Sequence, residues 1–166
     1  SVDLGFTHAD LTHSAMELIP FHRTRAVAVM ARDHPLARHE VITPEILHGQ
    51  PHIALMRRHM VRTRLDQVFA QAGVRPQTVA EVATGVSAIT LARHGVGVAV
   101  ICPFPLLRRQ EEDLAIRPFA PEFVYRASFA VSTVRPMSKP ARAFMRHVQL
   151  AVRSEAWASP ETWAAQ

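Results

Sequence analysis

Two short segments carry the side chains best suited to hold a small anion. Arg57-Arg58-His59-Met60-Val61-Arg62-Thr63 joins an apolar run to a run of helical period, and Thr84-Gly85-Val86-Ser87 does the same further along. A strand that feeds a helix leaves the first backbone N–H groups of that helix unpaired, at the positive end of its dipole. The hydroxyls of Thr84 and Ser87 add donors, and Arg57, Arg58 and Arg62 add charge. Such a set suits a carboxylate or an amino-acid-like zwitterion. Arg58 is the candidate to grip both carboxylate oxygens at once, a geometry lysine does not offer. Met60 and Val61 would supply apolar walls. The alternative is an ordinary pair of helix caps, with the arginines turned into water.

Other constellations point away from catalysis. Gly95-Val96-Gly97 is not a dinucleotide fingerprint, because that motif runs strand, glycines, helix, and here the helical run comes first. These glycines read as the stop of a helix. Of the ten histidines, His48 and His52 are four apart, but Gly49 and Pro51 break any helix between them. His8 and His13, and His34 and His39, are five apart in loop-like sequence. No metal site and no cofactor are expected. Cys102 ends an apolar run with no glycine-rich elbow and reads as a small core residue. With no set of nucleophile, base and orienting group, the expectation is a protein that is not an enzyme. Within residues 65–91, Gln67 to Val79 is similar to the first helix and turn of a helix-turn-helix. A DNA-reading version needs a compact three-helix core, whereas the flanks AVAVMA and VAVIC are strand-like.

The elements that must position these groups follow from periodicity. Strands are expected at Val2–Phe6, Ala26–Ala31, His52–Leu55, Gln77–Ala83, Val98–Cys102, Leu114–Arg117 and Tyr125–Thr133. A short helix opens at Thr43-Pro44, with Thr43 as cap. A second runs over Leu65, Val68, Phe69 and Ala72 and closes at Gly73. A third spans Gly85–His94 with Ala88, Ile89 and Ala92 inward. A fourth covers Leu106–Glu112. The last is capped by Ser138, has Pro140 in its first turn, and turns Ala141, Phe144, Met145, Val148, Ala151 and Val152 to one side. Alternation of strands and helices predicts a mostly parallel α/β sheet, with the continuous apolar strands covered on both faces.

Composition agrees with a folded α/β chain: of 166 residues, 48% are apolar and 20% charged. No stretch approaches the roughly 18 apolar residues that would span a bilayer. The formal charge is +5, and all but one of the basic residues are arginine, Lys139 being the exception. The arginines are dispersed and read as a solvated surface rather than a nucleic-acid footprint. Ser1 to Phe6 lacks the basic start and long apolar core of a signal peptide, so a cytoplasmic protein is expected.

Taken in order, several segments resemble the effector-binding (substrate-binding) domain of LysR-type transcriptional regulators. Asp3-Leu4-Gly5-Phe6 is similar to that family's DLGI strand, and His34-Pro35-Leu36-Ala37 to its HPLA. Arg62 to Phe69, with Gly73 and Pro76, resembles its central helix and exit. Gly95 to Ile101 with Pro103 resembles its G.Gvaiv.P signature, and Ser138 to Val148 its terminal helix. The order and spacing across the chain carry the resemblance, since each motif alone occurs by chance.

The resemblance implies a two-lobed α/β fold like that of type II periplasmic solute-binding proteins. Residues 1–23 and 129–156 would form a partial lobe one, residues 24–128 a complete lobe two, and residues 157–166 a tail. It implies effector contacts from Thr7 and His8, from Arg58, His59, Met60 and Val61, and from Pro103 and Phe104. These join Thr84 and Ser87 from the helix-start reading. It also implies a small-molecule effector, homodimerisation, and DNA binding only through a helix-turn-helix outside this sequence. A solute-binding or catalytic protein of the same fold is the alternative.

Overall fold

A computed structural model describes residues 3–8, 13–103 and 112–154. They form two compact units, one drawn from Ser1–Thr24 and Val124–Ser159 and the other from Arg25–Phe123. The expected helix at Leu106–Glu112 lies, but for Glu112, outside the described residues.

The first unit is a three-stranded sheet in the order β1-β8-β2, with β1 at Leu4–Thr7, β2 at Met16–Arg25 and β8 at Val124–Ser132. β1 runs antiparallel to β8, Leu4 facing Val131 and Thr7 facing Ser128. Helix α3, Lys139–Ser154, contributes Met145 to a core with Phe129 and Val131. The Ser138 hydroxyl accepts from the Ala141 N–H at 3.4 Å, the expected cap. Phe144 is half exposed and meets Phe6 edge-on at 6.0 Å. Periodicity did not reveal β2. No residue of MELIPFHRTR is fully buried, and Pro20 interrupts it. An edge position tolerates that proline, because one side of the strand needs no ladder donor.

The second unit holds a five-stranded sheet in the order β5-β4-β6-β3-β7. Its strands are β3 (Val27–Ala31), β4 (Pro51–Leu55), β5 (Gln77–Val82), β6 (Val98–Ile101) and β7 (Leu114–Pro118). β4 is parallel to β5 and to β6, whereas β3 is antiparallel to β6 and to β7. The sheet is therefore mixed, and the expectation of a mostly parallel one is corrected. The continuous apolar runs report burial on both faces, which antiparallel strands can also have. β3 leaves through two 3₁₀ turns, Pro35–Arg38 and Glu45–Leu47, not through a crossover helix. The second turn replaces the expected helix at Thr43-Pro44, and its cap position is Pro44 rather than Thr43.

Gln77–Val82 is a strand paired along β4, which removes the helix-turn-helix alternative. Helices α1 (Met60–Gln71) and α2 (Gly85–Arg93) cover opposite faces. α2 buries Ala88, Ile89 and Ala92 against Val27, Val29, Ile53, Ala99, Ile101 and Leu114. On the other face, the Phe69 ring of α1 meets the edge of His52 at 5.5 Å and Phe119 at 6.5 Å. The glycine pair after α2 does what a helix stop requires. Gly95 has φ +72°, and a Cβ on Gly97 would come within 2.5 Å of the Pro51 carbonyl oxygen.

Candidate functional site

Strand order reverses at β4. From β4 the chain crosses through α1 to β5 on one side, then through α2 to β6 on the other. In open α/β sheets, ligands settle outside the carboxyl ends of the strands at such a reversal. Three loops meet that description here: Met56–His59 after β4, Ala83-Thr84 after β5, and Cys102-Pro103 after β6. Leu55 and Val82 are in register at the ends of β4 and β5, and the Met56 N–H extends the ladder to the Val82 carbonyl at 2.9 Å.

The two helix starts differ in their chemistry. Thr84 caps α2, its hydroxyl accepting from the Ser87 N–H at 3.1 Å and lying 2.9 Å from the Ser87 hydroxyl. His59 holds the cap position of α1 without bonding its own helix. Its Nε2 instead donates to the Ala83 carbonyl at 2.9 Å. Among the described residues, the N–H groups of Met60, Val61, Gly85 and Val86 form no hydrogen bond. Four donors of two helix starts therefore remain available on one edge of one sheet.

The three arginines of the first segment divide. Arg57 and Arg58 are exposed, while Arg62 is buried. Arg62 Nε donates to both Asp66 carboxylate oxygens at 2.8 Å, and Nη1 to the Leu55 carbonyl at 2.9 Å and to Glu81 Oε2 at 3.4 Å. It serves as an anchor for the loop, a correction to its reading as a ligand charge. The Arg–Asp pair at i, i+4 was visible in the sequence; its grip on Leu55 was not, because that contact depends on tertiary packing.

His52, weighed in the sequence only for its spacing from His48, is a second such group. It is 2% exposed, and its Nε2 has no partner among the described residues. Burial, with Arg62 adding, pushes its pKa down to about 4, against a smaller upward pull from Asp66. It is neutral at physiological pH.

The remaining candidates are distributed as follows. Val61 is half-buried, Thr84 and Ser87 are exposed, and Met60 opens α1. Pro103 follows β6 fully buried, beside a half-buried Cys102. Phe104 lies outside the described residues. Thr7 and His8 belong to the first unit. Thr7 is half-buried at the end of β1. His8 is exposed, its Nδ1 3.2 Å from the Arg126 carbonyl and its ring edge-on to Tyr125 at 6.3 Å. Among the described residues, no three His, Cys, Asp or Glu side chains come together as a metal site would need. No helix there is long and apolar enough to cross a membrane.

The family model for the LysR substrate binding domain matches residues 1–153. The chain belongs to that family. It is 31% identical over 151 residues to the transcriptional activator protein LysR of Escherichia coli strain K12, covering 89% of this chain and 47% of that protein. This LysR substrate binding domain thus spans about half the length of that relative. Its fold matches the regulatory domain of Synechocystis PCC6803 CcmR, solved in complex with 2-PG. That match has a TM-score of 0.77 at 18% identity and covers 90% of this chain and 73% of that one. It also matches the BenM effector binding domain solved with benzoate, TM-score 0.73 at 16% identity, covering 98% of this chain and 74% of that one. The expected fold class, a type II periplasmic-binding-protein-like α/β domain, is the one these neighbours share.

Proposed function

We propose that this LysR substrate binding domain senses a small organic anion or amino-acid-like zwitterion and passes that signal to a DNA-binding domain of the same regulator. The observation that carries the reading is the set of four unpaired N–H donors at the starts of α1 and α2, on the edge where strand order reverses. A carboxylate placed there would accept from both helix starts and pair with the exposed Arg58. Met60 and Val61 would line its apolar part. Thr84 and Ser87 would border it at the start of α2, and Pro103 after the end of β6. The BenM domain was solved with benzoate, itself a carboxylate, which supports the class of ligand. The regulator would act in the cytoplasm as a homodimer, with the effector biasing its arrangement on DNA and no catalytic step involved.

A thermal-shift screen of amino acids, benzoate and short organic acids against this chain tests the proposal. A ligand that binds only the folded state raises the melting temperature. We expect an anionic or zwitterionic hit that Arg58→Ala weakens by about tenfold, in line with loss of one charge-assisted pair. A hit untouched by Arg58→Ala would reject the arginine's role, and hits that are only cationic or purely apolar would reject the anion reading.

A further inference from the structure

The start of α1 is unusual in what its cap residue does. A residue at this position normally turns its side chain back onto the second or third N–H of its own helix. His59 does not, so the Val61 N–H stays free, while the Arg62 N–H is taken by the His59 carbonyl at 2.9 Å. Its ring reaches instead to Ala83, the residue just before the α2 cap. A carbonyl oxygen can only accept, so the proton on the neutral ring sits on Nε2. The bond joins the last residue before one helix to the last residue before the cap of the other. Below it, the β4–β5 ladder ends with the Met56–Val82 bond, and Arg62 holds Leu55 from α1. Beyond that point Arg57 and Arg58 are exposed. The His59 ring is the one side-chain bridge between the loops themselves among the described residues.

We propose that His59 is a positioning residue, its ring tying the start of α1 to the start of α2 so that their free N–H groups act on one bound anion. The proposal rests on the anion site described above and assigns what holds that site together. A hydrogen bond weakens steeply once donor and acceptor separate beyond about 3.2 Å, so two helix starts help one anion only while their spacing is fixed. His59 uses its side chain for that spacing and leaves the donors of its own helix to the ligand.

The test works without the natural effector. In ¹⁵N NMR of the whole chain, the His59 ring should show the proton on Nε2. His59→Ala should move the amides of Ala83, Thr84 and Gly85, across the bridge, as well as those of Met60 and Val61. Titration with benzoate, and in parallel with L-glutamate and inorganic phosphate, should shift the amides of Met60, Val61, Gly85 and Val86 along one isotherm. His59→Ala should weaken that binding about tenfold. His59→Gln, whose side-chain amide can still donate to Ala83, should stay within about threefold of the wild type, a rescue that loss of packing alone would not give. A proton on Nδ1 with Nε2 bare, or His59→Ala amide changes confined to α1, would overturn the bridge. Wild-type binding that His59→Ala leaves intact would overturn its role while keeping the anion site. The expected tautomer and cross-bridge shifts, with no amide response to any of the three probes, would keep the bridge and reject this anion site.

Discussion

The two helices that flank β5 are held to the same sheet in opposite ways. α2 is fixed by shape: Ala88, Ile89 and Ala92 lie flat on the apolar side chains of four strands, and Thr84 closes its own first turn. α1 is fixed by a layer laced with polar groups. His52 lies under Phe69, Arg62 clamps Asp66, Glu81 and the Leu55 carbonyl, and His59 reaches to the neighbouring loop. A dry interface is tolerant of pH and specified by volume. A polar layer is directional, so it can hold a loop in one conformation, but each group in it is costly when its partner is lost. The loop that α1 supports is the one expected to meet the ligand, and that is where the directional contacts are found.

Acid should break this comparison most strongly. The His52 pKa of about 4 in the folded state lies below its ordinary value of 6.5, so the fold favours the neutral ring. Its contribution is fully present above pH 6.5. As pH falls the unfolded chain takes up the proton first, and stability is lost progressively between pH 6.5 and 4. The full span is worth about 3 kcal/mol. Urea midpoints at pH 7.5 and 4.5 should differ accordingly, and His52→Phe should remove much of the difference. Hydrogen exchange should show α1 loosening at the acid end before α2. Equal loosening of both helices, or an unchanged acid slope in His52→Phe, would place the acid-sensitive group elsewhere.

What could be read from the sequence follows the same division. Ala88, Ile89 and Ala92 announce the inward face of α2 by spacing, and Thr84 with Ser87 announces its cap, because both are local patterns. The burial of AVAVMA and VAVIC was equally legible, since a continuous apolar run says that both faces are covered. Strand direction was not, because β3 is as buried as β6 while running against it. β2 escaped for the opposite reason: an edge strand with no buried residue leaves no apolar period to find. At the site, Arg57, Arg58 and Arg62 are alike in sequence. Only the turn of the helix that aims Arg62 at Leu55 separates an anchor from its two exposed neighbours. The family resemblance supplied what periodicity could not, namely that the segments belong to one fold in this order.

Removing the anchor should have the next largest effect. Arg62→Ala leaves the Leu55 carbonyl without its side-chain donor and takes the cation away from Asp66 and Glu81. Both carboxylates are nearly half exposed, at 49% and 43%, so water relieves part of the loss. The expected destabilisation is about 2 kcal/mol, below that of a fully buried pair. Urea unfolding measures it. Arg62→Lys should recover only part, because an ammonium cannot span the carboxylates and the carbonyl in one plane. A lysine variant as stable as the wild type would mean that charge alone, and not the guanidinium fork, holds the loop.

The smallest effect should come from the self-contained helix start, and it sharpens the contrast by staying local. Thr84→Ala removes the acceptor for the Ser87 N–H and the partner of the Ser87 hydroxyl. Loss of a threonine cap costs about 1 kcal/mol, and Thr84→Ser should keep most of it. The freed Ser87 N–H lies among exposed residues, Thr84, Val86 and Ser87. Exchange should therefore rise at Ser87 and Ala88 in the first turn of α2, while the amides of Arg62 and Thr63 stay as slow as before. The His59 bridge runs from the Ala83 carbonyl, one residue ahead of the cap, and does not need the threonine side chain. If Thr84→Ala also released α1, the two helix starts would share a single cooperative turn, and the separation between a locally capped helix and a tertiary-held one would fail. If it released α2 alone, the bridge would be shown to act through the backbone of Ala83, independently of the cap beside it.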